Sequence, residues 1–264
     1  VTLPPVQPVK PVRPIQPVQP FDVVVAVPAR DEEASVETCL RSVVAAAQHA
    51  LRTGAVARVR IALAAHRSRD ATALRASAYL ATTGLDHLVL VDESSDTVGA
   101  VRAGLVEAAM AASPRLAPSR TWLLSTDADS VVPTDWVVGL LDVAARTGAD
   151  LVAGFVALDG WVADPGALAA YDHLLQAGLT AEGHDHVWAA NLAVAYPAYA
   201  AAGGFPSVVH GEERVLARRV TRAGGKAVGA LHPVVTTSAR MPGRAAHGLG
   251  DLLRRLADAE EEAS

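Results

Sequence analysis

Aromatic residues make up only 4% of the chain, and 264 residues contain a single cysteine, Cys39. One cysteine excludes an internal disulfide framework. Its place among Val36, Leu40 and Val43 on one helical face marks it as a small core residue and not a thiol nucleophile. Nowhere do about 18 apolar residues run together, so no transmembrane segment is expected, and the start lacks the apolar core of a signal peptide. The expected setting is cytoplasmic. Basic residues are not in excess either: 23 Lys and Arg stand against 28 Asp and Glu, a net charge of -5. The arginines are dispersed and not interleaved with aromatics, so no nucleic acid partner is expected.

What the chain has in quantity is aliphatic sequence. With 51% hydrophobic and 19% charged residues, it can bury a large core. Residues 1–20 stand apart, because Pro5, Pro8, Pro11, Pro14, Pro17 and Pro20 recur at the three-residue period of a polyproline II helix. Such composition builds no core, and a disordered proline-rich tail is expected there, either a plain extension or a ligand for a proline-binding partner.

From Phe21 onward apolar runs alternate with helical periodicity. Strands are expected over 22–27, 59–64, 87–91, 122–126 and 150–157, most of them rich in β-branched residues. Val36, Leu40, Val43, Ala47 and Leu51 share one face of a first helix. Asp70 and Thr134 are expected helix caps, with Gly84 and Gly148 as stops. This alternation predicts a single α/β domain with a mostly parallel, Rossmann-like sheet flanked by helices. Ligands of such sheets sit at the carboxyl ends of the strands. The loops 28–33, 65–70, 92–99 and 127–130 should therefore meet at one edge.

In the last of these, the run Trp122 to Thr126 ends abruptly in Asp127-Ala128-Asp129. Two carboxylates there are hard oxygen ligands for a divalent cation that bridges phosphates. Paired aspartates also cap helices, and the element alone does not choose between these roles.

Other loops carry further motifs in a fixed order: Val27-Pro-Ala-Arg-Asp31-Glu32-Glu33, Thr97-Val-Gly-Ala-Val-Arg102-Ala-Gly104, His186-Val-Trp188-Ala-Ala-Asn191, Gly203-Gly-Phe205-Pro206 and Gly211-Glu212-Glu213. With Asp-Ala-Asp, this series resembles family 2 glycosyltransferases of the GT-A fold, over about residues 21–245. The resemblance implies a nucleotide-sugar donor, a UDP-sugar by default and a GDP-sugar as the alternative, with Mg2+ or Mn2+ held by Asp129 and supported by Asp127. It implies that Pro28, Arg30, Asp31 and Glu32 hold base and ribose, that Gly99 lets backbone approach the donor beside Asp127 and Ala128, and that Arg102 neutralises the diphosphate. His66 stands in the loop that reads the base, where the family commonly has aspartate or asparagine. Trp188 and Asn191 would line the pocket for an acceptor whose identity is open. Glu213 occupies the place of the family's catalytic aspartate in inverting members, with Glu212 beside it. First-turn acids also simply favour a helix N-terminus.

Three neighbouring readings follow from the same residues. His184-Asp185-His186 looks like a metal pair but lacks further ligands, and His232 could approach the metal. Residues 237–244 resemble a closing loop whose arginines, Arg240 and Arg244, reach the diphosphate, the alternative being a solvated basic loop. Leu249, Leu252, Leu253 and Leu256 predict a C-terminal amphipathic helix within 246–264 that packs on the domain, dimerises or meets a membrane, the last opposed by acidic Glu260 to Glu262. Against an enzyme stands a catalytically degenerate sugar-nucleotide-binding module, which would explain both the altered base loop and the glutamate at 213. A haloacid dehalogenase-like phosphatase places its Asp-x-Asp after the first strand, whereas three strands precede it here.

Overall fold

The computed structural model describes residues 20–240 and 248–261. The expected tail through residue 19 and Arg244 of the closing loop lie outside them. Alternation of strand and helix opens the chain: β1 (Phe21–Ala29), α1 (Val36–Arg52), β2 (Val56–His66), α2 (Thr72–Ala81), β3 (Asp86–Asp92), α3 (Val98–Ala111) and β4 (Thr121–Ser125). Next come β5 (Ser130–Val131), α4 (Trp136–Thr147), β6 (Leu151–Asp159), α5 (Pro165–Ala177), β7 (Leu179–Thr180) and β8 (Gly183–His184). The chain continues through β9 (Leu192–Ala195), α6 (Tyr196–Ala201), α7 (Glu212–Arg222), β10 (Ala227–Ser238) and α8 (Leu249–Glu261).

The main sheet has eight strands in the order β3-β2-β1-β4-β9-β6-β10-β5. Neighbours β3, β2, β1 and β4 pair in parallel, as do β6 and β10. Only β9 and β5 run against the rest. This is the mostly parallel sheet that the sequence predicts, with an antiparallel strand wedged between its halves.

Strand β1 shows why it sits at the centre. Successive side chains of a strand point to opposite faces, and both faces of β1 are apolar: Val23, Val25 and Val27 enter one core, Val24 and Ala26 the other. The first core is closed by Val36, Leu40 and Val43 of α1 and by Trp136 and Leu140 of α4. The second is closed by Val101 and Leu105 of α3, Tyr199 of α6 and Leu216 and Val220 of α7. Each fully buried valine or leucine contributes about 1.5–3 kcal/mol, so both faces hold the helices that carry the site.

Two caps differ from expectation. Thr134 is not the cap of α4: Asp135 holds that position without a side-chain bond, and the first helical amide, from Trp136, donates to the Pro133 carbonyl. Proline there already fixes the entry turn, so the threonine is not needed. Asp70 does serve the start of α2, accepting from the Thr72 amide at 3.0 Å although Ala71 is the capping residue. Gly148 ends α4 at φ 66°, the left-handed stop expected of it. Helix α8 packs against α5 with Leu253 fully buried. Among the described residues no helix is long and apolar enough to cross a membrane.

Candidate functional site

At the carboxyl edge of the sheet the β1 loop is laced to the β2 loop. Asp31 adopts φ 51°, a left-handed conformation that aspartate and asparagine tolerate best among residues with a Cβ. Its amide donates to Ser68 Oγ at 3.0 Å, while its carboxylate accepts from the Arg69 amide at 2.8 Å. The Glu32 amide donates to Thr72 Oγ1 at 2.7 Å, and Glu33 exchanges bonds with the Asp70 side chain and the Ala71 amide. Both loops are thereby held in one frame. Arg30 is exposed at its rim and Pro28 is half-buried.

His66 is half-buried with Nδ1 at 3.4 Å from Asp92. Burial raises the Asp92 carboxyl, but hydrogen bonds from Ser95 and Ser94 outweigh it and hold the group well below the usual carboxylate range. Arg67 pairs with Asp96 at 2.9 Å.

The Asp127-Ala128-Asp129 loop rests on the core. Ala128 is buried, and the Cys39 thiol donates to the Asp127 carbonyl at 3.3 Å. Burial and the surrounding carboxylates push that thiol far above its ordinary range, so Cys39 is an inert support. Thr237 Oγ1 approaches Asp129 Oδ1 at 3.4 Å, and the Ser238 amide donates to the Asp129 carbonyl. Burial, with the negative charges of Asp127 and Glu32, pushes Asp129 up to about 6, while Arg240 opposes the shift.

Two arginines bind this acidic cluster together. Arg102, almost wholly buried, donates from Nε to Ser125 Oγ at 3.1 Å and from Nη2 to Asp127 Oδ1 at 2.5 Å, and its Nη1 is bonded to Glu212 Oε1. The expected diphosphate contact is thus corrected: the guanidinium is committed to carboxylates of its own chain. Arg240 grips Glu32 with both terminal nitrogens, at 2.6 and 3.1 Å, and reaches Asp129 Oδ2 at 3.4 Å. Glu213 follows Glu212 at the start of α7. Burial and the adjacent Glu212 charge push its carboxyl up to about 7, against the pull of Arg102.

A sequence model described as "Glycosyl transferase family 2" matches residues 24–199, two thirds of the chain and most of these loops. The chain belongs to glycosyl transferase family 2. Comparison with curated sequences gives no match. Among solved structures, a mannosyltransferase from Pyrobaculum calidifontis in complex with GDP-Man and Mn2+ superposes with a TM-score of 0.64 at 17% identity, over 86% of this chain and 59% of that one. Residues 1–349 of S. aureus TarS in complex with UDP-GlcNAc give 0.61 at 12% identity, covering 89% and 65%. M. tuberculosis glucosyl-3-phosphoglycerate synthase in complex with Mg2+ and UDP gives 0.51 at 18%, covering 90% and 80%. The chain thus spans about three fifths of the first two, and the shared property is the GT-A fold.

Within this family 2 domain the acceptor expectations need revision. Asn191 is fully buried: its Oδ1 accepts from Trp136 Nε1 at 2.9 Å, and its Nδ2 donates to the carbonyls of Phe155 and Pro233, both at 2.8 Å. An amide so engaged ties α4, β6 and β10 together and cannot face an acceptor. Asn191→Ala should therefore cost about 2–4 kcal/mol, since it opens a cavity and leaves buried partners unmet. Urea unfolding checks this, and the acceptor KM of the folded fraction should be unchanged. Trp188 is half-buried, stacked on His186 at 4.7 Å and edge-on to Phe155 at 5.4 Å. His184 and His186 bond the carbonyls of Ala230 and Leu175 and act as packing groups. His232 is exposed in the bulge of β10, where Leu231, His232 and Pro233 interrupt the pairing with β6.

Gly99 has a reason of its own. A Cβ there would lie 2.1 Å from the Pro206 carbonyl, so the close approach at this glycine comes from the Gly203–Pro206 turn of the same chain. Ser125 takes part in the site's bonding without a sequence motif to announce it, whereas Thr237 and Arg240 belong to the 237–244 segment that resembles a closing loop, of which Thr237 lies in β10 and Arg240 grips Glu32 and Asp129.

The donor set suits a divalent cation. Among the described residues no three His, Cys, Asp or Glu groups form a cage that could hold an ion unaided. Asp127 and Asp129 instead supply two hard carboxylates, the arrangement by which Mg2+ is held when phosphates and water complete its shell.

Proposed function

We propose that this protein is an inverting glycosyltransferase that moves a sugar from a nucleoside diphosphate donor to an acceptor hydroxyl. The observation that carries the reading is Glu213, a carboxylate poised at about 7 beside the Arg102-bound pair of Glu212 and Asp127. A general base works best with a pKa near the operating pH. Glu213 would take the proton of the acceptor hydroxyl as the oxygen attacks the anomeric carbon. Glu212, fixed by Arg102, keeps the negative field that raises Glu213.

Asp129, with Asp127, would hold Mg2+ or Mn2+, which as a Lewis acid offsets the charge growing on the departing diphosphate. Glu32 is the side chain for the donor's ribose, within a frame fixed by Asp31 and Thr72. GDP-Man, UDP-GlcNAc and UDP in the structural neighbours support a nucleotide-sugar donor. A uridine donor is the default and guanosine the alternative, with His66 in the loop that meets the base.

Calorimetry of UDP and GDP binding tests the metal arm. Affinity should fall about tenfold or more, or about 1.4 kcal/mol, when Mn2+ is chelated, because the diphosphate then faces two carboxylates with no cation between them. Asp129→Ala should show the same weak affinity with and without Mn2+. Equal affinity of the wild type with and without metal would remove the ion from the site. Incubation with a panel of nucleotide sugars then separates transfer or donor hydrolysis from binding alone, the behaviour of the degenerate module.

A further inference from the structure

Arg240 closes the site with charge. It stands at the end of β10, two residues beyond Ser238, whose amide is bonded to the Asp129 carbonyl, so its backbone is registered against the Asp-Ala-Asp loop. Its guanidinium lies between the carboxylates of Glu32 and Asp129, from the loops that follow β1 and β4. It is about one third exposed, while Glu32 is buried. Its Nε, however, is buried without a hydrogen-bond partner. A buried donor left unmet costs about 1–3 kcal/mol, so this posture is held by the two carboxylates and does not satisfy the whole side chain.

We propose that Arg240 is the resident counter-cation of the site and that it opposes divalent-cation binding at Asp129, so that metal entry and the Arg240 grip are antagonistic. The inference rests on the metal-dependent reading above and concerns a positioning residue, because Arg240 acts by what it does to Asp129 and Glu32. A cation arriving at Asp129 meets a fixed positive charge 3.4 Å from the same carboxylate. Either it binds weakly, or the guanidinium withdraws and releases Glu32 for the donor. Binding linkage is reciprocal. Release of the Arg240 grip must tighten the metal by the same factor by which the metal loosens the grip, and a variant without the guanidinium approaches that released state.

The experiment uses the full chain and Mn2+ alone, titrated by electron paramagnetic resonance of the free ion, with no nucleotide present. Arg240→Gln should bind Mn2+ about tenfold more tightly than wild type, within the usual span of such couplings, whereas Arg240→Lys keeps a positive charge and should stay near wild type. Circular dichroism confirms folding. Unchanged or weaker Mn2+ affinity in folded Arg240→Gln overturns the proposal, and so does tightening in Arg240→Lys equal to that in Arg240→Gln.

A second measurement needs no variant: on titrating wild type with Mg2+, the Arg240 Nε resonance should shift saturably with the midpoint of metal binding. A resonance that does not move overturns the proposal even if Arg240→Gln fails to fold. Mn2+ binding in the presence of UDP or GDP separates the two readings. If it occurs while Arg240→Gln leaves metal-only affinity unchanged, Arg240 alone loses its role. If no Mn2+ binds with or without nucleotide, the metal reading falls as well.

Discussion

Glu213→Gln should lower turnover by roughly 10² to 10⁴, the usual contribution of a general base, while donor affinity changes little, because the amide keeps the size and most of the bonding of the carboxylate. Loss of kcat with unchanged donor binding marks an interaction made in the transition state. The pH profile adds a second signature. Glu213 titrates at about 7 and works deprotonated, so wild-type kcat should climb as pH rises through about 7, and this limb should vanish in the glutamine variant.

Stability runs the other way. A carboxyl raised from 4.5 to about 7 on folding binds its proton more tightly in the native state. Its contribution is full below the unfolded value and is lost as pH rises through about 7. At pH 8 the charged Glu213 is therefore a burden of on the order of 1–2 kcal/mol, allowing for screening of a group that is not fully enclosed. Glu213→Gln should melt a few degrees higher than wild type at pH 8 and no higher at pH 4. Glu213→Asp tests reach: it restores the residue common in the family but withdraws the carboxylate by about an ångström, a displacement at which alignment starts to matter. Near-normal transfer by Glu213→Gln together with inactive Glu212→Gln would exchange the two roles. Product anomeric configuration, read by NMR, checks inversion separately.

Strands β1, β2 and β4 are legible because they are buried on both faces over most of their length and read as apolar runs, as in Val23 to Val27, while the partly exposed edge strand β3 still reads as one through Leu88 to Val91. Strand β9 is not. Four residues, Leu192 to Ala195, wedge antiparallel between β4 and β6, and so short a segment has no period to detect. Strand β5, two residues long, is equally silent.

The site divides along a similar line. Acidic residues at strand ends and at the start of a helix announce themselves by position: Asp127 and Glu212 meet on Arg102, and Asp129 and Glu32 meet on Arg240. Direction of a side chain is what the sequence conceals. Asn191 sits in a motif that suggests a pocket, yet its amide turns inward to Trp136, Phe155 and Pro233. Gly99 similarly stands in the first turn of α3, next to a loop expected to face the site, while the contact that requires a glycine comes from the Pro206 carbonyl.

Arg102 gives the largest stability effect expected of any single substitution here. An arginine that clamps a diphosphate should be dispensable for folding, and Arg102→Met would then change stability by less than about 0.5 kcal/mol. In the structure Arg102 is instead the buried partner of Glu212 and Asp127. Removing one member of a buried pair strands the other, at about 3–5 kcal/mol, so Arg102→Met should melt about 10 °C below wild type. Glu212 is the charge most exposed to this loss, because it is itself almost wholly enclosed.

The double variant Arg102→Met with Glu212→Gln should accordingly be more stable than Arg102→Met alone, although it carries one more substitution. A double-mutant cycle reads this as a non-zero coupling energy, the double variant losing less than the sum of the two single variants. Additive losses would mean that the two charges do not depend on each other. Activity supplies the remaining discrimination. Since Arg102 is one of the charges that hold Glu213 down, its removal should move the pH at which kcat rises to a higher value in whatever fraction still folds. A diphosphate clamp would instead weaken donor binding and leave that limb of the profile in place.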